Sequence, residues 1–257
     1  MPEASFRVYE ELNDYLPAAR RKRDFPVRFP EPCPVRHLIG NLGIPPTEVE
    51  IVLRNGESVG WSEQIRDGDR VSVYPVFESL DVSSLLKLRP EPLRNPRFYA
   101  DAQLGRLARW LRLLGFDTRY DNCIDDADLV RAARDEQRII LSRDRDLLIR
   151  REVTHGCHIR ETRPWDQLLR VVRRCDLYGQ IRPFSRCMVC NGLSVPVDKA
   201  SIENLLPENT RETFQAYWRC QLCGKIYWKG GHFERLQARI STLLQTREDA
   251  ITDDPSQ

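Results

Sequence analysis

Residues 97–118, RFYADAQLGRLARWLRLLGFDT, decide the fold of the central part of the chain. The run at 97–100 predicts a strand, and leucines that recur at helical spacing then predict an amphipathic helix closed by Gly115. Because strands and helices continue to alternate, we expect a mostly parallel sheet in a three-layer α/β arrangement. The further predicted elements are a strand at 117–120, a helix at 127–136, a strand at 138–142, a helix at 144–151, a strand at 155–159 and a helix at 164–175.

The first 80 residues have a different pattern, in which strand-like runs surround one short helix at 34–42. The runs are SFRVYEEL, VEIVLRNG, ESVGW and RVSVYPVF. Asn55-Gly56 is a strong hairpin signal, and 66–69 is a second turn. This order predicts a small α+β ubiquitin-like roll. Prolines within 79–96 interrupt both helix and strand, so we expect a linker there.

Composition excludes several classes of protein. The 257 residues are 41% hydrophobic and 30% charged, which is typical of a soluble globular protein. Apolar runs stay far below the roughly 18 residues of a membrane helix, and acidic residues interrupt the N-terminus, so it does not resemble a signal peptide. We therefore expect a cytoplasmic protein with no membrane partner. The absence of a glycine-rich phosphate loop gives no support to nucleotide binding.

Positive charge is concentrated in the middle of the chain. Residues 94–186 contain 20 arginines and 14 acidic residues, whereas the whole chain has only five lysines. Arginine binds phosphate with a planar fork, so this section suggests a polyanionic partner. Codon use in a GC-rich genome could explain the preference for arginine over lysine. It does not explain why the positive excess lies in one section.

Two cysteine pairs predict a metal site near the C-terminus. They form a CxxC motif, a spacer of 29 residues and a second CxxC motif, and each pair is followed by residues that tolerate positive φ. Four thiolates in this pattern are typical of a closed, structural zinc site, with disulfides or free thiols as the alternative. The long spacer is expected to contain secondary structure of its own. The ligands are Cys187, Cys190, Cys220 and Cys223, whereas Cys33, Cys123, Cys157 and Cys175 are expected to be small buried side chains.

Acidic residues follow the predicted strands of the central section. Asp101 follows the first strand, and Asp144 and Asp146 follow the apolar run at 139–141. Asp125, Asp126 and Asp128 open the second helix. Because the carboxyl ends of parallel strands line one crevice, these acids predict a site for a hard divalent cation. Helix capping is the competing interpretation for each acid taken alone.

Arginines recur every three residues along the first helix of the central section. Arg106, Arg109 and Arg112 lie away from the leucines, with Trp110 between them. Such a stripe is often only a solvated helix face. Beside a cation site we expect it to bind the phosphates of a nucleic acid, together with Arg143.

The stretches ADAQLGRLARWLRLLGFDT, RIILSRDRDL, RCMVCNG and KIYWKGGH resemble the mut-seven C-terminal ribonuclease family, which has a PIN-like nuclease fold with a zinc ribbon. The N-terminal section, which ends in GDRVSVYPVFE, resembles the ubiquitin-like domain that often precedes it and is related to small sulfur carriers. The resemblance extends from about residue 5 to residue 240. It implies magnesium or manganese held by Asp101, Asp126, Asp144 and Asp146, with Asp125 and Asp128 as alternatives to Asp126. Ser142 stands where threonine is more usual.

We therefore expect a metal-dependent ribonuclease that hydrolyses RNA phosphodiester bonds. The alternative is a non-catalytic RNA-binding adaptor that uses the zinc ribbon and the arginine-rich face. A sulfur carrier is disfavoured, because Val76-Phe77-Glu78 continues into the next segment without a free Gly-Gly end, and a role in docking, RNA positioning or protein binding is expected for the N-terminal domain. The expected domains are a ubiquitin-like domain at 1–80, a linker at 81–96, a PIN-like nuclease domain at 97–183, a zinc ribbon with a C-terminal helix at 184–246 and a disordered tail at 247–257.

Overall fold

The computed structural model of the chain describes residues 1–30, 33–75, 87–88 and 95–252. The chain forms two compact units. The first contains Met1–Leu104 and Asp121–Arg160, and the second contains Gly105–Tyr120 and the chain from residue 161 onward. The polypeptide thus leaves the first unit after residue 104, returns to it at 121 and leaves it again after 160.

The elements follow one another in the order that the hydrophobic pattern predicts. The strands are β1 (Glu3–Val8), β2 (Phe25–Arg28), β3 (Cys33–Pro34), β4 (Val49–Arg54), β5 (Glu57–Ser58), β6 (Gln64–Ile65), β7 (Arg70–Pro75), β8 (Phe98–Ala100), β9 (Thr118–Tyr120), β10 (Ile139–Ser142), β11 (Gly156–His158), β12 (Ser194–Val197), β13 (Tyr217–Cys220) and β14 (Ile226–Trp228). The helices are α1 (Val35–Asn41), α2 (Gly105–Leu113), α3 (Asp126–Asp135), α4 (Arg145–Ile149), α5 (Pro164–Arg174), α6 (Glu208–Thr213) and α7 (Gly231–Thr252).

A five-stranded sheet and α1 form the N-terminal part of the first unit. The strand order is β2-β1-β7-β4-β5, with β1 and β7 parallel and the other pairs antiparallel. Every second residue of β1 and β7 is buried, as a sheet with one covered face requires. Phe6 lies opposite Val71 in the register, and both belong to one buried cluster with Leu38 and Ile39 of α1. This arrangement confirms the predicted ubiquitin-like roll.

The hairpin between β4 and β5 depends on its two turn residues. Asn55 has a φ of 52° and Gly56 a φ of 90°. A two-residue turn that matches the twist of the strands needs positive φ at both positions, and asparagine and glycine adopt it at least cost. The turn predicted from the Asn-Gly pair is thereby confirmed.

Three parallel strands carry the central part of the first unit. Their order is β11-β10-β8, with Ile140 opposite Tyr99 and Ser142 opposite His158. The buried residues around them come from β8, α3, β10 and α4 and include Tyr99, Leu129, Ile140 and Leu148. Because the strands are parallel, Ala100 and Ser142 both end at the same edge of the sheet.

The second unit combines two helices with a small antiparallel sheet. Helix α2 packs on α5, where Trp110 and Trp165 meet edge to face with their ring centroids 5.2 Å apart. Strands β12, β13 and β14 form the antiparallel sheet in that order. The spacer between the cysteine pairs carries β12, α6 and two short 3₁₀ helices, as its length predicts.

Several predicted elements differ in length from those in the structure. The run SFRVYEEL is a strand only to Val8, because residues 10–15 form a 3₁₀ helix, and the run ESVGW is a strand only over Glu57–Ser58. Helix α7 includes residues 247–252, which were expected in the tail. The segment Val76–Glu78 and most of the predicted linker lie outside the described residues. No helix in the described ranges is long and apolar enough to cross a membrane.

Candidate active site and metal centre

The hydroxyl of Ser142 links Asp101 with the backbone of Asp144 at the carboxyl ends of β8 and β10. Ser142 is fully buried, and its Oγ donates to Asp101 Oδ2 at 2.6 Å. The same Oγ accepts the backbone N–H of Asp144 at 2.9 Å. A buried hydroxyl must satisfy its donor and its acceptor, and here one bond goes to each acidic residue. Ser142 thus fixes the spacing of the two strand ends.

Local backbone geometry explains why Asp101 turns into this position. Its N–H continues the sheet by donating to the carbonyl of Leu141 at 3.0 Å. Its carboxylate Oδ1 then accepts the N–H of Ala102 at 2.6 Å, where the chain enters a short 3₁₀ helix. One carboxylate oxygen therefore closes the turn and the other faces Ser142.

Asp144 also caps α4. Its Oδ1 accepts the N–H groups of Asp146 at 2.8 Å and Leu147 at 3.3 Å. These amides have no partner inside the helix, so an aspartate at this position stabilises the helix start by about 1 kcal/mol. The capping interpretation is therefore correct for Asp144, and it involves one oxygen of the carboxylate.

Asp126 and Asp146 have other partners. Asp126 Oδ2 pairs with the Arg150 guanidinium at 2.7 Å. The Asp146 side chain is 81% exposed and lies 3.4 Å from Arg145 Nε. Among the residues that the structure describes, the four cysteines lie close enough together to bind one metal ion, and the four predicted acids do not form such a group. Ser142 links the Asp101 carboxylate with the backbone of Asp144, whereas the carboxylates of Asp126 and Asp146 pair with arginines.

The alternatives to Asp126 serve α3. Asp125 caps this helix by accepting the N–H of Asp128 at 2.8 Å. Asp128 itself pairs with Arg131, one turn further along the helix. The three neighbouring acids therefore divide between one helix cap and two ion pairs, so the capping interpretation holds here for Asp125 alone.

Arg112 does not belong to the predicted phosphate-binding stripe. It is only 5% exposed, and its guanidinium donates to the carbonyls of Thr118 at 2.8 Å, Val189 at 2.7 Å and Met188 at 3.3 Å. Burial lowers the pKa of Arg112. A helix has 3.6 residues per turn, so a spacing of three rotates each successive side chain about 60° toward the apolar face. Arg106 and Arg109 remain exposed.

Arg143 lies between Ser142 and Asp144 and is exposed. Its position at the strand end follows from the buried run of β10, which ends at Ser142. Ser142 is the residue whose role sequence reasoning missed. Its signal was a hydroxyl placed directly after an apolar strand and two residues before an aspartate.

The four cysteine sulfurs form a compact tetrad. Cys187 Sγ is 3.7 Å from Cys223 Sγ, Cys190 Sγ is 3.4 Å from Cys220 Sγ, and all four lie within 4.8 Å of one another. Sulfurs bound to zinc at about 2.3 Å in a tetrahedron lie about 3.8 Å apart. The donor set and its spacing therefore fit a four-coordinate zinc ion with no position left for substrate.

Each CxxC motif forms the same backbone turn. The N–H of Asn191 donates to the carbonyl of Cys187, and the N–H of Gly224 donates to the carbonyl of Cys220, both at 3.0 Å. Asn191 has a φ of 71° and Gly224 a φ of 73°. Gly192 is required for a different reason, because a Cβ there would lie 2.9 Å from Cys220 Sγ.

The surroundings of the four cysteines give their thiols different pKa values. Burial raises the pKa of the Cys187 thiol, but hydrogen bonds from the Tyr227 hydroxyl and nearby backbone amides outweigh it and lower this pKa to about 6. Burial and the neighbouring thiols raise the pKa of Cys190 to about 12. None of the eight cysteines, all of which are described, forms a disulfide. Cys33 and Cys157 are buried as expected, whereas Cys123 is exposed because it lies in the loop before α3.

Two family models match the chain. One, described as the Mut7-C RNAse domain, matches residues 96–240, and the other, described as Mut7-C ubiquitin, matches residues 1–81. Among solved structures, a proposed molybdopterin converting factor, subunit 1, from Pyrococcus furiosus is 21% identical, with 30% of this chain and 100% of that chain covered and a TM-score of 0.25. Small archaeal modifier protein 1 of H. volcanii is 18% identical at the same coverage and TM-score. No curated protein sequence matches the chain.

Proposed function

Because the chain belongs to the Mut7-C RNAse domain family and carries a Mut7-C ubiquitin domain before it, we propose that it is a metal-dependent ribonuclease that acts at Asp101 and Asp144. The observation that carries this proposal is the buried Ser142 hydroxyl, which hydrogen-bonds to both acidic residues at the ends of neighbouring parallel strands. Such strand ends are where open α/β sheets bind their ligands.

The donor set suits a magnesium or manganese ion. Carboxylate oxygens are the ligands that hard divalent ions prefer, and the charge of such an ion favours the ionised form of the acids that bind it. When bound, such an ion supplies an activated water molecule and neutralises charge that develops on the phosphate. Asp101 and Asp144 would hold it, while Ser142 keeps Asp101 oriented through the 2.6 Å hydrogen bond.

Exposed arginines supply the proposed contacts with RNA. Arg143 adjoins both Ser142 and Asp144 in the sequence and is exposed, so it is suited to bind a phosphate next to the cleaved bond. Arg106 and Arg109 are exposed on α2 and would bind other phosphates of the RNA. Arg112 is excluded because its donors are bonded to backbone carbonyls.

The cysteine tetrad has a structural role in this proposal. Four thiolates fill the coordination of a zinc ion, so a bound water has no place at this centre. The metal requirement for cleavage would therefore concern the carboxylate site alone. A chelator that removes magnesium or manganese and leaves the thiolate-bound zinc in place should stop cleavage.

Asp144→Asn tests the proposal with labelled single-stranded RNA and added magnesium or manganese. Asparagine caps a helix about as well as aspartate, so the stability of the variant should stay close to that of the wild type. Loss of one charged ligand should lower the cleavage rate by about 100-fold or more.

Asp125→Asn is the matched control. Asp125 caps α3 as Asp144 caps α4, through a hydrogen bond from the amide three residues on. This variant should cleave RNA at the wild-type rate. If Asp144→Asn is as active as Asp125→Asn, Asp144 is only a cap. If the wild type binds RNA and never cleaves it with either ion, the chain is an RNA-binding adaptor.

A further inference from the structure

The ubiquitin-like domain contacts the segment that follows the proposed active site. The Arg36 guanidinium, at the start of α1, donates to the carbonyls of Arg150 at 3.3 Å, Arg151 at 3.4 Å and Val153 at 3.2 Å. These carbonyls lie just beyond the C-terminal end of α4. Arg36 also lies over the ring of Trp61, 5.4 Å from its centroid. One end of α4 is thus held by the ubiquitin-like domain.

A second set of contacts joins the ubiquitin-like domain to His158 of β11. The His158 backbone N–H donates to Glu48 Oε1 at 2.8 Å, and Glu48 is only 2% exposed. The Tyr15 hydroxyl lies 2.9 Å from His158 Nδ1. Both partners belong to the ubiquitin-like domain and lie more than 100 positions away in sequence. The backbone and the ring of one residue are therefore both fixed by this domain.

His158 is a direct neighbour of the acid-bearing loop. It lies opposite Ser142 in the parallel register of β10 and β11. The next residue, Ile159, donates its N–H to the carbonyl of Ser142 at 2.8 Å. A neutral imidazole has one N–H and one acceptor nitrogen, so Nδ1 can accept from the Tyr15 hydroxyl. Hydrogen bonds thus connect Tyr15 and Glu48 with His158 on β11, and β11 with the strand end at Ser142.

Further contacts make this junction rigid. Asp14 pairs with Arg160 at 2.7 Å, and the Arg160 guanidinium lies 5.3 Å from the centroid of the Tyr15 ring. A Cβ on Gly156 would lie 3.3 Å from Thr47 Cγ2, so the chains approach closely beside His158. The junction therefore includes a charged pair, aromatic contacts and close packing.

We propose that the ubiquitin-like domain is a built-in positioning element of the nuclease, and that His158 transmits its support to Ser142, Arg143 and Asp144. This inference rests on the proposed function, because it assigns the domain a role in the same reaction. His158 is a positioning residue: it lies opposite Ser142, which bonds to Asp101 and to the N–H of Asp144, and it acts through that strand end. The partner of this surface of the ubiquitin-like domain is then the chain's own α4 and β11.

His158→Ala in the full-length chain tests the proposal. Without the imidazole, β11 loses its side-chain bond to Tyr15 beside the strand end at Ser142, and a small displacement of a catalytic group costs about 10- to 100-fold in turnover. We expect kcat to fall by that factor while KM for the RNA stays unchanged. His158→Gln, whose amide can again bond to the Tyr15 hydroxyl, should restore part of the activity.

Tyr15→Phe removes only the hydroxyl that faces His158 and should lower kcat by a few-fold. Tyr9→Phe is its control, because Tyr9 is a tyrosine of the same domain whose ring stacks on Tyr74. Wild-type kcat in both His158→Ala and Tyr15→Phe overturns the proposal. So does an equal loss of kcat in Tyr9→Phe and Tyr15→Phe.

Hydrogen–deuterium exchange gives a readout that does not depend on cleavage. The amides of 142–147 should exchange faster in His158→Ala than in the wild type. If the wild type has no ribonuclease activity, the proposed function fails, and exchange then decides the inference by itself. Unchanged exchange at 142–147 overturns it, and faster exchange there supports it.

Discussion

Replacing Arg112 with methionine should destabilise the second unit without weakening RNA binding. The guanidinium makes two short hydrogen bonds, to the carbonyls of Thr118 and Val189, and a longer one to Met188. A hydrogen bond to a charged group contributes about 1.5–3 kcal/mol, and an orphaned buried carbonyl has a further cost. Methionine carries no charge, so the substitution also removes the cost of burying the guanidinium. This offsets part of the loss in the free energy of unfolding.

The expected loss for Arg112→Met is about 3 kcal/mol in the free energy of unfolding. The Arg112 side chain connects α2 and the start of β9 with the turn of the first CxxC motif. In that turn the Asn191 side chain also accepts the N–H of Thr118 at 2.9 Å. Urea unfolding of the zinc-loaded chain, followed by tryptophan fluorescence, measures this loss. Trp110, Trp165, Trp218 and Trp228 all lie in the second unit.

Arg109→Met is the matched substitution on the same helix. Arg109 is exposed, so its removal should change stability by less than about 0.5 kcal/mol. If it binds a phosphate, the variant should bind RNA more weakly, with a salt slope lower by about one. Wild-type stability together with a reduced salt slope in Arg112→Met would refute the structural role of Arg112.

Two further predictions concern zinc and the end of α2. The purified chain should contain one zinc ion, and Cys220→Ser should lose both the zinc and the β12–β14 sheet, measured by elemental analysis and circular dichroism; a zinc-free chain with an intact sheet would contradict this. Gly115→Ala should lower the free energy of unfolding by about 2 kcal/mol or more, because Gly115 has a φ of 98° and an added Cβ would lie 2.3 Å from the Arg182 carbonyl oxygen. Gly56→Ala, at a φ of 90° with nothing near the added Cβ, should lose less and serves as the control.

Local patterns in the sequence were sufficient for most elements and for the cysteine tetrad. Alternation along β1 and the helical spacing of leucines in α2 depend only on neighbouring residues, as do the two CxxC turns. The resemblance to the family, confirmed by the match at 96–240, supplied the expected ribonuclease activity.

Tertiary partners explain what the sequence could not provide. Arg150 pairs with Asp126 across 24 positions, and the residues next to Asp126 in the sequence do not indicate this pairing. The contact of Tyr15 with His158 spans 143 positions and depends on how the ubiquitin-like roll lies against β11. The burial of Arg112 could have been predicted from the sequence. In a helix with 3.6 residues per turn, side chains spaced by three residues rotate around the axis, which brings Arg112 toward the apolar face.

If Asp101 and Asp144, the acids linked by Ser142, carry out the cleavage, the cleavage rate of Asp101→Asn is the decisive measurement. Asp101 is bonded to Ser142 and to the Ala102 amide, so asparagine keeps the shape of the site and removes its charge. With saturating magnesium and RNA, we expect a rate lower by about 100-fold or more at unchanged zinc content and RNA affinity. A wild-type rate in Asp101→Asn would show that cleavage does not need this carboxylate.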